Sequence, residues 1–470
     1  MNLLTMVVLY LLGSIAIGLY AARRVKTAKD FAVAGRSLPL AVVVATTFAT
    51  WVASETVLGL PAKFATGGLR DTIEDPWGAG MCLVLVGLFF ARKLYRMDLM
   101  TIGDYYRDRY GRVVEVFCSA VSIVSYLGWV AAQITALGIV FYQLSDGWIS
   151  PQTGAIIGTA VVLLYTMLGG MWSVALTDAV QMTIIVIGLS VIAVLAANMA
   201  GGPGAVLDHA VEHDLHVFFP PLEWRAVLAF VGAGITIMLG SIPQQDVFQR
   251  VMSAKDERTA AIGPVIGGVL YMVFALVPMF IALASLIIIP DESHQLLSGE
   301  HGDLLVPTLV RSHMPAVTQV LFFGALLSAI MSTASATILA PSTIFVENIL
   351  RHLMPSMNDH QELRLMRGAS VVFAAGTLAY ALRMAGTSIY DLVSSSYEVP
   401  VVGAVVPLAA GLYWPRATNR GAILSIVLGV GTWLLFMLTP LGETFPQQLA
   451  GLLMAVVGMV IGSLPDNRRP

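Results

Sequence analysis

Charged residues are scarce in this chain, and cysteines are almost absent. Only 12% of its 470 residues are Asp, Glu, Lys or Arg, whereas 57% are hydrophobic. The two cysteines, Cys82 and Cys118, lie within or beside apolar runs, so the sequence predicts no disulfide framework. This composition excludes an ordinary soluble domain, in which about 25% of residues are charged.

Motifs for nucleotide chemistry and for hydrolysis are also missing. The sequence contains no Walker loop, no dinucleotide-binding glycine fingerprint, no HExxH and no nucleophile elbow. Its net charge of −3 gives no indication of nucleic-acid binding. We therefore expect neither an enzyme nor an ATP-driven pump, no cofactor, and no nucleic-acid partner. Residues 465–470 follow the last apolar run, so we also expect no attached output domain.

Long apolar runs are what the sequence has instead, with a mean hydropathy of +0.81. A helix of about 20 apolar residues crosses a hydrocarbon core of about 30 Å. We therefore predict an all-α polytopic membrane protein with about thirteen transmembrane helices. The predicted spans are 2–22, 38–67, 75–97, 113–143, 152–170, 173–199, 225–250, 262–290, 315–349, 365–384, 388–414, 420–440 and 446–464.

The basic residues fall on one side of these spans. With the N-terminus outside, every Lys and Arg lies in a cytoplasmic segment except Lys63, Arg70, Arg225, Arg311 and Arg383. Because cytoplasmic loops are enriched in Lys and Arg, this asymmetry predicts an external N-terminus and a cytoplasmic C-terminus. We expect a multi-pass protein of a bacterial inner (plasma) membrane, monomeric or weakly oligomeric.

Two of the predicted spans are interrupted by polar or helix-breaking residues. Span 38–67 has small residues around Ala53 and a carboxylate, Glu55, at its centre. A charge in hydrocarbon costs about 2.5 to 3.5 kcal/mol on insertion scales, so Glu55 should face protein or a water-filled cavity. Span 225–250 is similarly broken near Gly240 and Pro243.

The two interrupted spans lie five spans apart and so cross the membrane in opposite directions. This pattern predicts two inverted five-helix repeats, with ion and solute sites where the broken helices meet. The expected division is an extra helix and loop at 1–37, a first repeat at 38–200, an inverted second repeat at 225–414, and two further helices with a short tail at 415–470.

Hydroxyl groups are concentrated in span 315–349. The hydroxyls of Ser332 and Thr333, with the carbonyl of Ala329, could supply three hard oxygen ligands. Carbonyls of Ala49 and Val52 in the first broken span would complete a five-oxygen site for a small hard cation such as Na⁺. The alternative is that the hydroxyls bond back to their own helix or join neighbouring helices.

Five segments together resemble one family over essentially the whole chain. They are GRSLPL, TWVASETVLGLP, YTMLGGMWSVALTDAVQ, IMSTASAT and GLYWPRATNRGAILSIVLGVG. The resemblance is to the sodium:solute symporters, which include the proline, sodium/sugar, sialic acid and choline carriers. It implies a leucine-transporter type 5+5 inverted repeat with broken first helices, and sodium-coupled uptake of a small solute by alternating access.

The resemblance also implies roles for individual residues. The sodium site of the family falls on Ala49, Val52, Ala329, Ser332 and Thr333, the residues that the chemistry also indicates. Asp178, with Ser335, would lie on the sodium exit route or at a second sodium site. Ala336 stands where some two-sodium members have a hydroxyl, which leaves a second ion open.

For the solute, the sequence is most similar to the choline carrier branch, through ATWV, GWVAAQITALG and SIPQQDVFQRVMSA. Trp51 and Trp129 match two tryptophans of that branch's aromatic cage, whereas Gln244 replaces a third and Ala79 replaces a Tyr. Asp75 occupies the place of a substrate-binding Glu in sugar carriers. We predict a cationic or zwitterionic solute, such as an amino acid, choline or another amine. The predicted solute-binding residues are Trp51, Glu55, Thr56, Asp75, Trp129, Gln244, Tyr397 and Glu398.

Several alternatives remain open from the sequence. A solute sensor on the same fold, a symporter of a sugar or carboxylate, and a uniporter or channel would all share these spans. His209 and His213 could bind a metal if their loop were helical, but a solvated loop needs no ligand, so we expect no transition metal. The expected partners are a small solute, Na⁺ as the coupling ion, and the lipid bilayer.

Overall fold

The computed structural model describes residues 3–299, 301–354 and 356–464, and the regular elements in these ranges are helices. The first group is α1 (Leu3–Ala22), α2 (Ala28–Val33), α3 (Leu40–Ala49), α4 (Leu60–Gly67), α5 (Ala79–Leu85), α6 (Ala91–Tyr95), α7 (Ile102–Tyr110), α8 (Arg112–Leu144) and α9 (Pro151–Met199).

The second group begins with a connecting helix and then has a similar order of long and broken helices. It consists of α10 (Pro203–Glu212), α11 (Trp224–Gly240), α12 (Gln245–Met252), α13 (Glu257–Phe274), α14 (Leu276–Ile288), α15 (Pro290–Ser298), α16 (Leu305–His313), α17 (Ala316–Ile344), α18 (Arg351–Leu353), α19 (Asp359–Arg383), α20 (Ile389–Ser396), α21 (Glu398–Gly403), α22 (Val405–Tyr413), α23 (Asn419–Met437) and α24 (Gln447–Ser463).

Short helical turns extend or join these helices. The π-helical turns are Glu55–Gly59, Ile73–Gly78, Val86–Phe90 and Phe345–Leu350, and the 3₁₀ turns are Ala34–Arg36, Leu69–Thr72, Gly302–Leu304 and Pro440–Glu443. Within the described ranges, seven helices are long and apolar enough to cross a membrane, or up to nine if two bent pairs each form one span. Further apolar helices are shorter, so the count of thirteen stays a prediction.

Both predicted helix breaks are present. Helix α3 ends at Ala49, and the regular α-helix resumes only at α4, after turns and a π-helical segment. Inside the break, the amide of Ala53 donates to the carbonyl of Trp51 at 3.1 Å, two residues back, rather than four. The second break separates α11 from α12, whose axes differ by 47°. Unwound backbone at these points leaves polar groups available to a bound ion or solute.

A short backbone link joins the two broken helices. The amide of Leu38 donates to the Ser253 carbonyl, and the amide of Lys255 donates to the Leu38 carbonyl, both at 2.9 Å. Leu38 lies just before α3, whereas Ser253 and Lys255 lie just after α12. The start of the first broken helix is therefore fixed to the end of the second.

Helix α17 lies at the centre of the molecule. In the most apolar stretch of this helix, 94% is buried inside the protein, whereas the corresponding share is 28% in α19 and in α23. It packs against α8 and α9. A helix that is apolar all round is expected in such a position, and its hydroxyls must then bond to protein groups or to a bound ion.

Two glycines occupy positions where a side chain would disturb the backbone or its packing. Gly170 has φ +50° and divides α9 where the sequence predicts a boundary between two spans. At Gly240, the last residue of α11, a Cβ atom would lie 2.4 Å from the backbone carbonyl oxygen of Tyr397. The second helix break can therefore contact Tyr397 only because residue 240 has no side chain.

Candidate functional site

Four aromatic rings form a buried cluster between the first helix break, α8 and the start of α21. The centroid of Trp51 lies 5.6 Å from that of Trp129 and 5.7 Å from that of Tyr397. Trp129 lies 5.6 Å from Tyr397 and stacks on Tyr126 at 6.2 Å. We call Trp51, Tyr126, Trp129 and Tyr397 the aromatic cluster. Two of its members are the tryptophans that the sequence predicts for solute binding.

Glu55 lies beside this cluster and is fully buried. Gln133 Nε2 donates to its Oε2 at 2.8 Å, and the indole Nε1 of Trp129 donates to its Oε1 at 3.4 Å. The Ser54 hydroxyl donates to Oε2 at 3.2 Å. These donors satisfy the hydrogen-bonding capacity of the Glu55 carboxylate inside the protein. Through them Glu55 orients Trp129 and connects the first break to α8.

Asp75 is connected to the same break through two hydroxyls. The Tyr271 hydroxyl donates to Asp75 Oδ1 at 2.5 Å and lies 2.9 Å from the hydroxyl of Thr56. Thr56 also contacts the carbonyl oxygen of Trp51. The backbone amide of Asp75 donates to the Tyr390 hydroxyl at 3.3 Å. Tyr271, which the sequence did not indicate, thus links Asp75 to Thr56, two of the predicted solute-binding residues.

Several buried polar atoms in this region lack a hydrogen-bond partner among the described residues. They are Trp51 Nε1, Asp75 Oδ2, Gln244 Oε1 and the Tyr397 hydroxyl. Buried polar atoms are paired in the great majority of cases, so unpaired donors and acceptors around one cluster indicate a place for a polar ligand. Gln244 itself is held at the second break by its Nε2, which donates to Ser125 Oγ at 2.6 Å.

Glu398 does not join the other predicted solute-binding residues in these contacts. Its Oε2 accepts hydrogen bonds from Trp433 Nε1 at 2.7 Å and from Gln447 Nε2 at 2.6 Å. Both donors belong to the last two helices, α23 and α24. The side chain of Glu398 therefore ties α21 to the C-terminal helices, although its neighbour Tyr397 lies in the aromatic cluster.

A cavity of about 460 Å³ opens beside Asp75, and we call it the Lys63 cavity. Its lining includes Lys63, Glu74, Tyr390 and Asp391. Tyr390 both lines this cavity and accepts the hydrogen bond from the Asp75 amide. Tyr390 thus links the lining of this cavity to Asp75.

The predicted sodium residues are all buried, on α3, the following break and α17. Ser332 Oγ donates to Asp178 Oδ1, and Thr46 Oγ1 donates to Asp178 Oδ2 at 2.6 Å. Asp178 of α9 therefore bridges α3 and α17. Ser335 Oγ donates to the Ser332 carbonyl at 2.7 Å, which is the back-bonding that the sequence left open. Buried beside them are Ala49, Val52, Ala329 and Thr333.

Arg250 lies in a segment that the sequence assigns to the cytoplasmic side, and the structure buries it, with only 1% of the residue exposed. Its Nε donates to the Thr46 carbonyl at 2.9 Å, and its terminal nitrogens lie 3.6 Å from Asp246 and 4.0 Å from Asp178. It lies at the end of an apolar span, where sequence alone does not separate a buried cation from a solvated one.

The loop that carries His209 and His213 is helical, as the metal alternative requires. The two imidazole rings are 4.1 Å apart. Over the ranges that the structure covers, no group of three or more His, Cys, Asp or Glu side chains could hold a metal ion.

The sequence did not indicate Tyr126, Gln133, Tyr271 or Tyr390 as site residues. Tyr126 and Gln133 lie three residues before and four residues after Trp129, so the face of α8 that carries Trp129 predicts them through helical spacing. Tyr271 and Tyr390 have no such signal, because they reach Asp75 from distant helices.

Comparisons with known proteins agree with this architecture. The profile of the sodium:solute symporter family matches residues 31–429. High-affinity choline transporter 1 of Drosophila melanogaster is 26% identical over 89% of this chain and 68% of its own length. Sodium/glucose cotransporter 4 of Danio rerio is 25% identical over 91% of this chain and 70% of its own length.

Solved structures show the same fold. A Na⁺-coupled sialic acid symporter in a substrate-bound outward-open state has a TM-score of 0.85 at 19% identity, covering 98% of this chain and 96% of its own. A nucleobase-cation-symport-1 family transporter has a TM-score of 0.58 at 15% identity, covering 92% and 94%. The fold is thus of the leucine-transporter type. Because the family profile matches most of its length in one stretch, this chain belongs to the sodium:solute symporter family of sodium-coupled transporters.

Proposed function

We propose that this symporter imports a small cationic or zwitterionic solute, such as choline, an amino acid or another amine, and binds it at the aromatic cluster. The observation that carries the proposal is the position of Trp51, Trp129 and Tyr397 next to two buried carboxylates, Glu55 and Asp75. Aromatic faces attract cations by about 0.5 to 2 kcal/mol per ring, and the carboxylates add negative charge. The unpaired Asp75 Oδ2 remains available to an ammonium group.

The rings must separate to admit such a solute. At 5.6 to 5.7 Å between centroids, Trp51, Trp129 and Tyr397 are in contact with one another. A cation lies within about 6 Å of each ring that it contacts, so it needs a gap between facing rings. We infer that the solute replaces ring-to-ring contacts, and that Gln244 and Thr56 complete its polar contacts.

For sodium we propose the five oxygens of Ala49, Val52, Ala329, Ser332 and Thr333. The contact of Ser332 and Thr46 with Asp178 supports a position between α3 and α17, and Asp178 with Ser335 would receive the ion as it leaves. Bound Na⁺ would hold the first break against α17 and favour the outward-open state. The membrane potential supplies about 2.3 kcal/mol per charge per 100 mV, and a tenfold sodium gradient about 1.4 kcal/mol.

A sugar is the second candidate solute. The relatives include sodium/glucose cotransporters, and the Thr56, Tyr271 and Asp75 hydroxyl and carboxylate groups form a hydrogen-bonding chain that suits a hydroxylated ligand. The aromatic cluster favours a cation over a sugar. The rings of Trp51, Trp129 and Tyr397 together attract a cation more strongly than a single ring would.

Thermal stabilisation of the purified protein tests these proposals. Choline, betaine, proline, glucose and a carboxylate are each added in Na⁺ or in K⁺. We expect stabilisation that requires both Na⁺ and an amine or zwitterion, which Trp129→Leu abolishes. Trp148→Leu is the control, because Trp148 is 86% exposed. Stabilisation by glucose alone would overturn the cationic assignment in favour of a sugar. Binding that does not depend on sodium would favour the uniporter or channel alternative.

We propose that the protein lies in a bacterial inner membrane, with its N-terminus outside and its C-terminus in the cytoplasm. We propose further that it is a monomer or a weak oligomer. The inverted repeats at 38–200 and 225–414 are supported by the two breaks and by the backbone link between their broken helices.

A further inference from the structure

A buried charged group joins the proposed sodium residues to the second helix break. Arg250 of α12 lies between Asp178 of α9 and Asp246 of its own helix, 4.0 Å from the first carboxylate and 3.6 Å from the second. All three side chains are at most 2% exposed. Its Nε also donates to the carbonyl of Thr46, whose hydroxyl donates to Asp178.

When Asp178 and Asp246 are both ionised, the charges in this group do not balance. Among the described residues, Arg250 carries the one positive charge within contact distance of both carboxylates. Buried charges are costly unless they are paired. A Na⁺ ion beside Ser332, which donates to Asp178, would supply the missing positive charge and compete with Arg250 for that carboxylate.

The carboxylate of Asp246 can form a closer ion pair with Arg250 than the present 3.6 Å. Its Oδ1 accepts the Tyr126 hydroxyl at 2.6 Å, whereas its Oδ2 has no hydrogen-bond partner in the described part of the chain. The backbone amide of Asp246 in turn donates to the Tyr126 hydroxyl at 2.9 Å. Asp246, near the start of α12, therefore holds Tyr126 through two hydrogen bonds.

Tyr126 extends this connection to the solute site. Its ring stacks on Trp129 with an interplanar angle of 15°, and Trp129 stacks on Trp51. A continuous series of contacts thus runs from Ser332 through Asp178, Arg250, Asp246 and Tyr126 to the aromatic cluster.

We propose that Arg250 is a positioning residue that transmits the occupancy of the sodium site to the aromatic cluster. When Na⁺ occupies the site beside Asp178, Arg250 shifts its pairing towards Asp246. This orders the second break and fixes Tyr126 against Trp129. The inference rests on the proposed sodium site and adds to it the route by which Na⁺ prepares the solute site before the solute arrives.

Hydrogen–deuterium exchange of the purified full-length protein in Na⁺ or K⁺, without solute, tests this route. We expect Na⁺ to slow exchange at both breaks, residues 50–54 and residues 241–246, by about fivefold or more. In Arg250→Gln the effect at 50–54 remains and the effect at 241–246 is lost, while Arg250→Lys restores part of it. Arg258→Gln, which removes an exposed cation at the start of α13, should behave as wild type.

Asp246→Asn provides a second variant in case Arg250→Gln does not fold. It keeps an oxygen for the Tyr126 hydroxyl and removes the charge with which Arg250 pairs, so we expect it also to lose the sodium effect at 241–246. A wild type with no sodium effect at either break would contradict the proposed sodium site and this inference together. If the wild type shows the sodium effect at 50–54 but none at 241–246, the inference alone is overturned. The same holds if both variants preserve the sodium effect at 241–246.

Discussion

Ser332 and Ser342 lie on the same buried helix, α17, and differ in what their hydroxyls bond. Ser332 donates to Asp178 on another helix, whereas Ser342 donates to the Ile338 carbonyl of its own helix at 2.7 Å. Both are at most 3% exposed. Residue type and burial are therefore the same, and only the partner distinguishes a candidate ion ligand from a helix-bonded hydroxyl.

This difference gives a prediction for sodium affinity. Ser332→Ala removes one of five proposed oxygens, so the Na⁺ concentration for half-maximal stabilisation should rise about tenfold or more, which corresponds to about 1.4 kcal/mol. Ser342→Ala should leave it nearly unchanged. Sodium titrations of thermal stability measure both, and an unaltered sodium dependence in Ser332→Ala would remove Ser332 from the site.

Asp303, outside the spanning helices, gives a prediction for pH. Burial raises the pKa of its carboxyl from 3.8 to about 6, although the Ile389 amide donates to it at 3.1 Å. The folded state therefore holds this proton more strongly than the unfolded state does. The stability that the protonated form contributes is complete below pH 3.8 and is lost as the pH rises through about 6.

Asp303→Asn removes this titration and keeps an oxygen for the Ile389 amide. Between pH 4 and pH 7 the variant should gain about 2 to 3 kcal/mol relative to the wild type. Melting temperatures of the two proteins across this range provide the measurement. If the melting temperatures of the two proteins change in parallel with pH, the Asp303 carboxyl titrates at its ordinary pKa.

At the scale of single elements, the breaks position the site. The π-helical segment after the first break places Glu55 and Thr56 towards different partners, Gln133 on α8 and Tyr271 on α13. At the second break, α11 ends where Gly240 meets the backbone of Tyr397. The two breaks contact the same aromatic cluster, so the elements that interrupt the spans also form the candidate solute site.

Gly240→Ala tests the importance of this close approach. Its Cβ atom would lie 2.4 Å from the Tyr397 carbonyl oxygen, so the second break and Tyr397 must separate. Overpacking of this kind costs about 1 to 3 kcal/mol, and we expect lower thermal stability together with loss of solute-dependent stabilisation.

Gly376→Ala is the matched control, since nothing lies within 4 Å of its Cβ position on α19. Ala is favoured over Gly inside a helix by up to about 1 kcal/mol, so this variant should be as stable as the wild type or more stable. Equal behaviour of the two variants would show that the contact between residue 240 and Tyr397 has no role.

At the scale of the whole molecule, the placement of basic residues gives a prediction for the orientation in the membrane. The asymmetry of the basic residues predicts an external N-terminus and a cytoplasmic C-terminus. Ser298 and Lys26 are exposed and lie on opposite sides in the predicted topology.

A membrane-impermeant maleimide therefore tests the orientation. Ser298→Cys should be labelled in intact cells, and Lys26→Cys only after permeabilisation. The native cysteines, Cys82 and Cys118, are buried and should give little background. The reverse labelling pattern would invert the topology.

The sequence by itself determined the class of the protein, both helix breaks and the family. Apolar length, helix-breaking residues and segment order are local properties, and each is written in consecutive residues. It also indicated Glu55, because a carboxylate in the middle of an apolar span is rare and costly. Trp51, Trp129 and Asp75 were indicated by their match to positions of the family.

The tertiary structure alone decided which of these residues meet. It separated Glu398 from the neighbouring Tyr397, brought Tyr271 to Asp75, and placed Arg250 between two carboxylates. These contacts join residues far apart in the chain, on helices whose relative rotation depends on packing. A sequence pattern gives the face of a helix, but a hydrogen bond depends on ångström-scale placement of two helices, which only their packed arrangement determines.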